Sequence, residues 1–274
     1  MYAPVVKLAL LRTILTLAAR LDLELHQIDI KGAYLNGELT NEEHIYMRQP
    51  PGYPYPNTTG HVLQLCKTIY GPKQSGRRWY QKLTKICEEV IGLTRCSVDQ
   101  AVFYHCDGDL ILVMAVHVDD CTIAAWPPEL MEKLKQKLRT RVEVTDLGEL
   151  QWLLGIEITR DRDAHTICLL QRLYIEDIVR CYGCHNKCTL SLPMGTNVKL
   201  SASHSPKTPE DVASMRNILY REAVGSLMYA SLGTCPDITF AVTWLSKFLE
   251  NPGQPHWEAA CNVLHYLYES FYGT

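Results

Sequence analysis

The chain has 274 residues and a formal net charge of −3, and 47% of its residues are hydrophobic. This composition is typical of a globular protein with one large or two small domains, and it gives no sign of a nucleic-acid-binding protein, although a near-neutral total can hide a local basic patch. The eleven cysteines are odd in number and scattered, which argues against a secreted disulfide scaffold and favours an intracellular protein with free thiols.

The first predicted element is a helix within "VKLALLRTILTLAARLDLEL", residues 6–25. Apolar residues recur there at helical spacing, and charged residues interrupt the run before it is long enough to cross a membrane. These charged residues are Lys7, Arg12, Arg20 and Asp22. The segment therefore predicts an amphipathic helix, and we expect no membrane association.

A short strand, a loop and a second helix are predicted next. The strand covers residues 25–30, and a turn at residues 36–37 follows it. Residues 48–60, "RQPPGYPYPNTTG", are rich in Pro and Gly and predict a loop. Order resumes in "HVLQLCKTIYGPKQSGRRWYQKL", which leads into a helix that ends near Gly92.

The stretch "LILVMAVHVDDCTIAAW", residues 110–126, predicts a hairpin of two buried strands with Asp119 and Asp120 at its tip. A surface helix in "PPELMEKLKQKLRTR", a second hairpin in "LQWLLGIEITRDRDAHTICLLQ" and mostly helical segments from Gln171 onward complete the chain. A strand, a helix, two hairpin strands, a helix and a strand, in that order, form the split βαβ, ferredoxin-like arrangement. The predicted fold class is α+β with a helical C-terminal part.

Two explanations account for the adjacent carboxylates of Asp119 and Asp120. Aspartate is a common turn residue because its side chain satisfies nearby backbone N–H groups, so the pair needs no chemical role. Alternatively, a cation neutralises the two like charges, and oxygen ligands on a tight turn suit Mg²⁺, which takes one or two carboxylates together with substrate phosphates. A third carboxylate at a neighbouring strand end would favour the second explanation.

Asp29 provides this third carboxylate. It lies near the end of the first predicted strand, in "HQIDIKGAYL", and in the ferredoxin-like order this strand neighbours the central hairpin. Three carboxylates on adjacent strands could hold two Mg²⁺ ions about 3.5–4 Å apart, the arrangement used for in-line phosphoryl displacement. The sequence therefore predicts that Asp29, Asp119 and Asp120 converge on a metal site.

Five blocks, in matching order and spacing, resemble the reverse transcriptase of copia-type LTR retrotransposons: "IDIKGAYLNGEL", "IYGPKQSGRRWY", "HVDD", "LLGIEI" and "YREAVGSLMYASLGTCPDITFAV". The resemblance extends from Ala3 to Thr274 and implies an RNA-directed DNA polymerase. It also implies the fold of a right-hand polymerase. Residues 1–171 would be the palm with partial fingers at residues 36–80, and residues 172–274 a helical thumb with the start of the connection region.

By this resemblance, Asp29, Asp119 and Asp120 are the catalytic and metal-binding residues. The cofactors would be two Mg²⁺ ions, for which Mn²⁺ can substitute. Asp29 and Asp119 would bridge the metals, and Asp120 would support them. In "HVDD", His117 occupies the position where the family usually has a tyrosine.

The resemblance also implies contacts to the sugar and to the primer. Tyr34, five residues after Asp29, matches the aromatic steric gate that excludes a ribose 2′-OH, and the alternative is a core aromatic residue after a strand. The block "LLGIEI", Leu153 to Ile158, resembles the hairpin that grips the primer terminus, and its alternative is simply a buried strand.

Four residues of "GPKQSGRRWY" are implied to bind substrate. Gln74 resembles the glutamine that contacts the incoming nucleotide and the template. Lys73, Arg77 and Arg78 would contact phosphates, and a solvated basic turn is the alternative. The block departs from the family's commoner residues at Pro72, Ser75, Gly76 and Arg78.

The implied partners are an RNA or DNA template with its primer, deoxynucleoside triphosphates and other segments of a Pol polyprotein. We expect an intracellular location, in a cytoplasmic virus-like particle or in the nucleus. The family's domain continues upstream into basic fingers and downstream into an RNase H domain, so the chain is expected to be truncated at both ends and to polymerise poorly by itself. The alternative function is a catalytically inactive, retroelement-derived fragment that at most binds nucleic acid.

Overall fold

The computed structural model describes residues 3–53, 60–183, 190–195 and 197–272. The chain divides into two compact units. The first unit is Met1–Leu150 with Arg160–Ile167, and the second is Gln151–Thr159 with Cys168–Thr274. The predicted palm (1–171) and thumb (172–274) are functional assignments, and they stay predictions.

The described residues form strands, α-helices and a few short helical turns. The strands are β1 (Glu24–Ile30), β2 (Tyr46–Arg48), β3 (Val62–Gln64), β4 (Thr94–Arg95), β5 (Val102–Asp107), β6 (Leu110–His117), β7 (Asp120–Trp126), β8 (Val144–Glu149), β9 (Trp152–Leu153), β10 (Ile156–Asp161) and β11 (Thr166–Leu170). The helices are α1 (Leu8–Arg20), α2 (Ser75–Lys85), α3 (Pro128–Arg139), α4 (Arg172–Tyr182), α5 (Pro209–Met215), α6 (Tyr220–Gly233), α7 (Thr239–Ser246) and α8 (Gln254–Tyr272). A π-helical turn, Ile86–Ile91, continues α2, and 3₁₀ turns cover Ala33–Asn36, Ala202–His204 and Pro236–Ile238.

Six strands of the first unit form one antiparallel sheet in the order β4-β5-β6-β7-β1-β8. Strand β1 lies between β7 and β8 and pairs antiparallel with both. Strands β6 and β7 are joined by the two-residue loop Val118–Asp119, which confirms the predicted hairpin. The predicted combination of helices and antiparallel sheets is also confirmed.

Near the β6–β7 loop, the two faces of this sheet carry different side chains. Ile28 and Ile30 of β1 belong to an apolar core that also contains buried residues of α2 and α3. Because side chains alternate between the two faces of a strand, Gln27 and Asp29 lie on the opposite face. The burial of the isoleucines thus fixes which polar residues of β1 are presented on the face opposite α2 and α3.

The N-terminal helix predicted from helical spacing is confirmed as α1. Its buried residues are Leu11, Ile14, Leu15, Ala18 and Ala19. In the part of the chain that the structure describes, no helix combines the length and the apolar character that spanning a membrane requires.

The second unit contains a short hairpin and a helical core. Strands β9 and β10 pair around Leu154 and Gly155, which have φ values of 52° and 77°. Positive φ at both central residues is what a two-residue type I′ turn requires. The hydroxyl of Tyr229, on α6, donates a hydrogen bond to the Leu154 carbonyl. Helices α4, α6, α7 and α8 bury a shared apolar cluster, which confirms the predicted helical character of this part.

Candidate active site

Asp29 and Asp120 are direct cross-strand partners in the sheet of the first unit. Asp29 on β1 lies opposite Asp120 on β7, and His117 of β6 lies on the other side of Asp120. Directly opposed residues project from the same face, with Cβ atoms about 4.5–5.5 Å apart. The strand register therefore places two carboxylates that are distant in the sequence next to each other.

Asp119 lies in the tight loop that precedes Asp120. Its neighbour Val118 has a φ of 64°, a left-handed conformation that is strained for a β-branched residue. The indole Nε1 of Trp79 donates a hydrogen bond to the Val118 carbonyl, and the Ile30 N–H donates one to the Asp119 carbonyl, both at 2.8 Å. These bonds from α2 and β1 fix the backbone of the loop on both sides of its centre.

Burial and neighbouring carboxylates raise the pKa values of Asp29 and Asp120. Burial raises the pKa of Asp29 above its ordinary value, the charge of Asp119 raises it further, and Lys31 partly offsets both effects. Burial also raises the pKa of Asp120, as do the charges of Asp29 and Asp119, while the Gln27 amide lowers it. A divalent cation bound here would favour the ionised form of each carboxylate.

The donor set of this cluster suits a hard divalent cation. Mg²⁺ is usually held by one or two carboxylates, and waters and substrate phosphates complete its coordination. Within the described ranges, no group of three or more His, Cys, Asp or Glu side chains is arranged to hold a metal ion by itself. Metal binding by the aspartates, and the convergence of all three on shared metals, stay predictions.

Tyr34 lies in the 3₁₀ turn Ala33–Asn36, directly after β1, and is partly exposed. The Thr68 hydroxyl donates a hydrogen bond to its backbone carbonyl. The Tyr34 ring approaches the first turn of α2 closely, because a Cβ added to Gly76 would lie 3.6 Å from the Tyr34 hydroxyl oxygen. Tyr34 is therefore beside the block that contains Gln74, and its function as a steric gate stays a prediction.

Gln74, Lys73 and Arg77 lie at the N-terminus of α2. Gln74 immediately precedes the helix, and its side chain makes no capping hydrogen bond. Lys73 and Arg77 are exposed. Because the N-terminus of a helix carries a partial positive charge, these residues form a positively polarised surface. Their contacts to nucleotide and phosphate stay predictions.

Arg78 differs from these neighbours because its guanidinium is engaged within the protein. It donates hydrogen bonds to Glu43 at 2.7 Å, to Gln81 at 2.9 Å and to Thr40 at 3.1 Å. The ion pair with Glu43 links α2 to the segment that follows the 3₁₀ turn. A phosphate contact by Arg78 would require this ion pair to open, at the loss of its hydrogen bond to Glu43. The phosphate contact stays a prediction.

Two residues beside the carboxylates were not identified from the sequence. Gln27 Nε2 donates a hydrogen bond to Asp120 Oδ1 at 2.8 Å. The Tyr70 ring lies 5.0 Å from the Tyr34 ring between centroids, and burial together with the charge of Asp119 raises the pKa of Tyr70. Gln27 lies two residues before Asp29 on β1, and this spacing could have placed its side chain on the same face of the sheet as Asp29. The Tyr70 contact depends on loop folding and has no local signal.

A family model described as "Reverse transcriptase (RNA-dependent DNA polymerase)" matches residues 1–196. The chain belongs to this family. The reverse transcriptase match includes Asp29, Asp119 and Asp120, and it confirms the resemblance stated above. No solved structure matches the chain significantly.

Curated relatives of this reverse transcriptase segment are transposon proteins. The retrovirus-related Pol polyprotein from transposon TNT 1-94 of Nicotiana tabacum is 40% identical over 266 residues, which are 97% of this chain and 20% of that protein. The corresponding polyprotein from transposon RE1 of Arabidopsis thaliana is 34% identical over 97% of this chain and 17% of its own length. A putative transposon Ty5-1 protein of Saccharomyces cerevisiae is 29% identical over 88% of this chain and 75% of its own length. The chain spans about a fifth of the tobacco polyprotein, and it is similar to the reverse transcriptase part of copia-type elements.

Proposed function

We propose that this chain forms the catalytic part of an RNA-directed DNA polymerase, which adds deoxynucleotides to a primer 3′-OH. The observation that carries the proposal is the register of β1 and β7. It sets Asp29 opposite Asp120, with Asp119 in the adjoining loop, in a chain of the reverse transcriptase family. Opposed like charges are unfavourable in a sheet and are stabilised by a bound cation.

The strand order supports a polymerase palm. Strands β8-β1-β7-β6 are adjacent in that order, and α2 and α3 pack on one face. A ferredoxin-like split βαβ fold would likewise have its first strand beside the central hairpin, and this likeness supports the proposal. The helices of the second unit would form the thumb and the start of the connection region, and residues 36–80 would be partial fingers.

Asp29 and Asp119 would hold the two metals, and Asp120 would support them from the first position of β7. Bound Mg²⁺, or Mn²⁺ in its place, lowers the pKa of the attacking hydroxyl and stabilises the charge on the departing phosphates. The protein's own part is to hold the carboxylates rigidly. The hydrogen bonds to the Val118 and Asp119 carbonyls support that rigidity.

The substrate-binding assignments follow from position beside the carboxylates. Tyr34 would close the space that a ribose 2′-OH needs, because its ring is held against α2. Gln74 would contact the incoming nucleotide and the template. Lys73 and Arg77 would contact phosphates, and Arg78 would do so after releasing Glu43.

The partners in this proposal are a template–primer, deoxynucleoside triphosphates and the other segments of a Pol polyprotein. The relatives' names support the last of these, since they describe Pol polyproteins from transposons. The proposed location is a cytoplasmic virus-like particle or the nucleus, where retroelement nucleic acid would be copied.

The test is primer extension on an RNA template with Mg²⁺, in a version of the chain extended with a family fingers region so that the wild-type rate is measurable. Asp119→Asn should lower the rate by about a hundredfold or more, because the variant weakens the binding of the metal ions that would stabilise the transition state. The matched control is Asp163→Asn, at an exposed aspartate in the β10–β11 turn, which should keep the wild-type rate. Equal rates for Asp119→Asn and wild type would contradict the proposal.

A further inference from the structure

The amide of Gln27 contacts the carboxylate cluster directly. Gln27 lies two residues before Asp29 on β1, so both side chains project from the same face of the sheet. Its cross-strand partner is Thr122, and its Nε2 reaches diagonally to Asp120 Oδ1 at 2.8 Å. Diagonal neighbours in an antiparallel pair are within reach of long side chains.

A β-bulge on the neighbouring strand coincides with Gln27. In the β1–β8 pair, Gln27 is opposite Gly148 and Ile28 is opposite Asp146, so Leu147 is the extra residue. Gly148 has a φ of 74°, a left-handed conformation typical of glycine in a bulge. Bulges are common beside active sites, where they change the direction of a side chain. The irregularity therefore falls at the residue whose side chain contacts Asp120.

A neutral amide is well suited to this position. It donates a hydrogen bond to one carboxylate oxygen and so restricts the orientation of the whole group. It adds no positive charge, whereas a Lys or Arg side chain would neutralise the aspartate and compete with a metal ion. Groups that orient metal ligands by hydrogen bonding strengthen metal binding by limiting the freedom of the ligand.

We propose that Gln27 is a positioning residue for the metal site, acting through Asp120. The inference rests on the proposed function, because it requires that Asp120 faces a divalent cation. Gln27 itself contacts neither substrate nor metal in this arrangement. Its contribution is to fix the Asp120 carboxylate.

The test measures Mn²⁺ affinity by electron paramagnetic resonance, with the complete chain and without substrate. Gln27→Met keeps the length and removes the donor, and Gln27→Asn keeps the amide but is too short to reach Asp120. Both should weaken Mn²⁺ binding by about tenfold or more. Gln27→His retains an N–H at a similar distance and should recover most of the affinity. Gln136→Met, at an exposed position of α3, is the matched control and should bind as wild type does.

The outcomes separate this inference from the proposed function. If wild type binds Mn²⁺ and the folded Gln27→Met and Gln27→Asn variants bind it equally well, the positioning function is wrong and the polymerase proposal stands. If wild type and Asp119→Asn bind Mn²⁺ equally weakly, both are wrong. In an Asp120→Ala background, Gln27→Met should cause no further loss of affinity, and an additional tenfold loss there would also overturn the inference.

Discussion

Asp29 and Asp120 face each other as like charges, so this pair destabilises the folded protein when no cation is bound. Asp29→Asn removes one charge and should raise the free energy of unfolding of the metal-free protein by about 0.5 kcal/mol at neutral pH. Urea denaturation at pH 7 with a chelator present measures this difference. A lower stability for Asp29→Asn under these conditions would contradict the electrostatic account.

The stability gained in Asp29→Asn should depend on pH, in a way that follows from the direction in which the Asp29 pKa is shifted. The pKa of Asp29 is raised in the folded protein, so on increasing pH the unfolded chain loses this proton first. The loss of stability caused by the charge of Asp29 is therefore absent below the ordinary pKa of aspartate. It develops as the pH rises towards the raised pKa of Asp29 in the folded protein, and it is complete above that pKa. The stability difference between Asp29→Asn and wild type should vanish in acid. Added Mg²⁺ should stabilise wild type more than the variant.

The Tyr34 ring is supported from two sides, by Tyr70 and by the first turn of α2, as the steric gate that we propose would require. Tyr34→Ala should increase ribonucleotide incorporation relative to deoxynucleotide incorporation by about tenfold or more, since the clash with a 2′-OH is removed. Competition between the two nucleotides in primer extension, in a full-length context, measures the ratio. Tyr104→Ala, on β5, is the control and should leave the ratio unchanged. An unchanged ratio in Tyr34→Ala would contradict the steric-gate proposal and indicate that Tyr34 serves only in packing.

A hydrogen bond from α2 supports the loop of the β6–β7 hairpin. Trp79 is buried, and its Nε1 donates to the Val118 carbonyl in the strained loop. Trp79→Phe should lower the free energy of unfolding by about 2 kcal/mol, because it leaves that carbonyl unpaired and opens a small cavity. Chemical denaturation measures the stability of Trp79→Phe. The control is Trp126→Phe, at a half-exposed indole on β7, which should change the free energy of unfolding by less than about 0.5 kcal/mol. Equal losses in the two variants would contradict this account of the loop.

Local patterns were sufficient to predict the elements that surround the site. The apolar runs on both sides of Asp119 predicted the hairpin, and the ferredoxin-like order predicted that β1 lies beside it. The contacts of Gln27 and Trp79 could not be predicted in this way. The first depends on the register of three strands and on a bulge, and the second joins a helix to a loop distant in the sequence.

At the scale of the whole molecule, the chain consists of two compact units and spans about a fifth of the tobacco polyprotein it resembles. Arg78 is engaged by Glu43, which leaves Lys73 and Arg77 as the exposed cations of the Gln74 block. Two such cations neutralise only part of the charge of a nucleoside triphosphate. This shortage of positive charge is a structural reason to expect that the chain alone polymerises poorly, and that expectation stays a prediction.

The central claim is that Asp29 and Asp119 share a divalent metal. Its most direct test is a crystal structure of the chain grown with MnCl₂ and a deoxynucleoside triphosphate, with diffraction data measured at the manganese absorption edge. The account predicts an anomalous peak about 2.1 Å from a carboxylate oxygen of each residue, with phosphate oxygens completing the shell. Manganese bound elsewhere, with the Asp29 and Asp119 carboxylates directed apart, would contradict it.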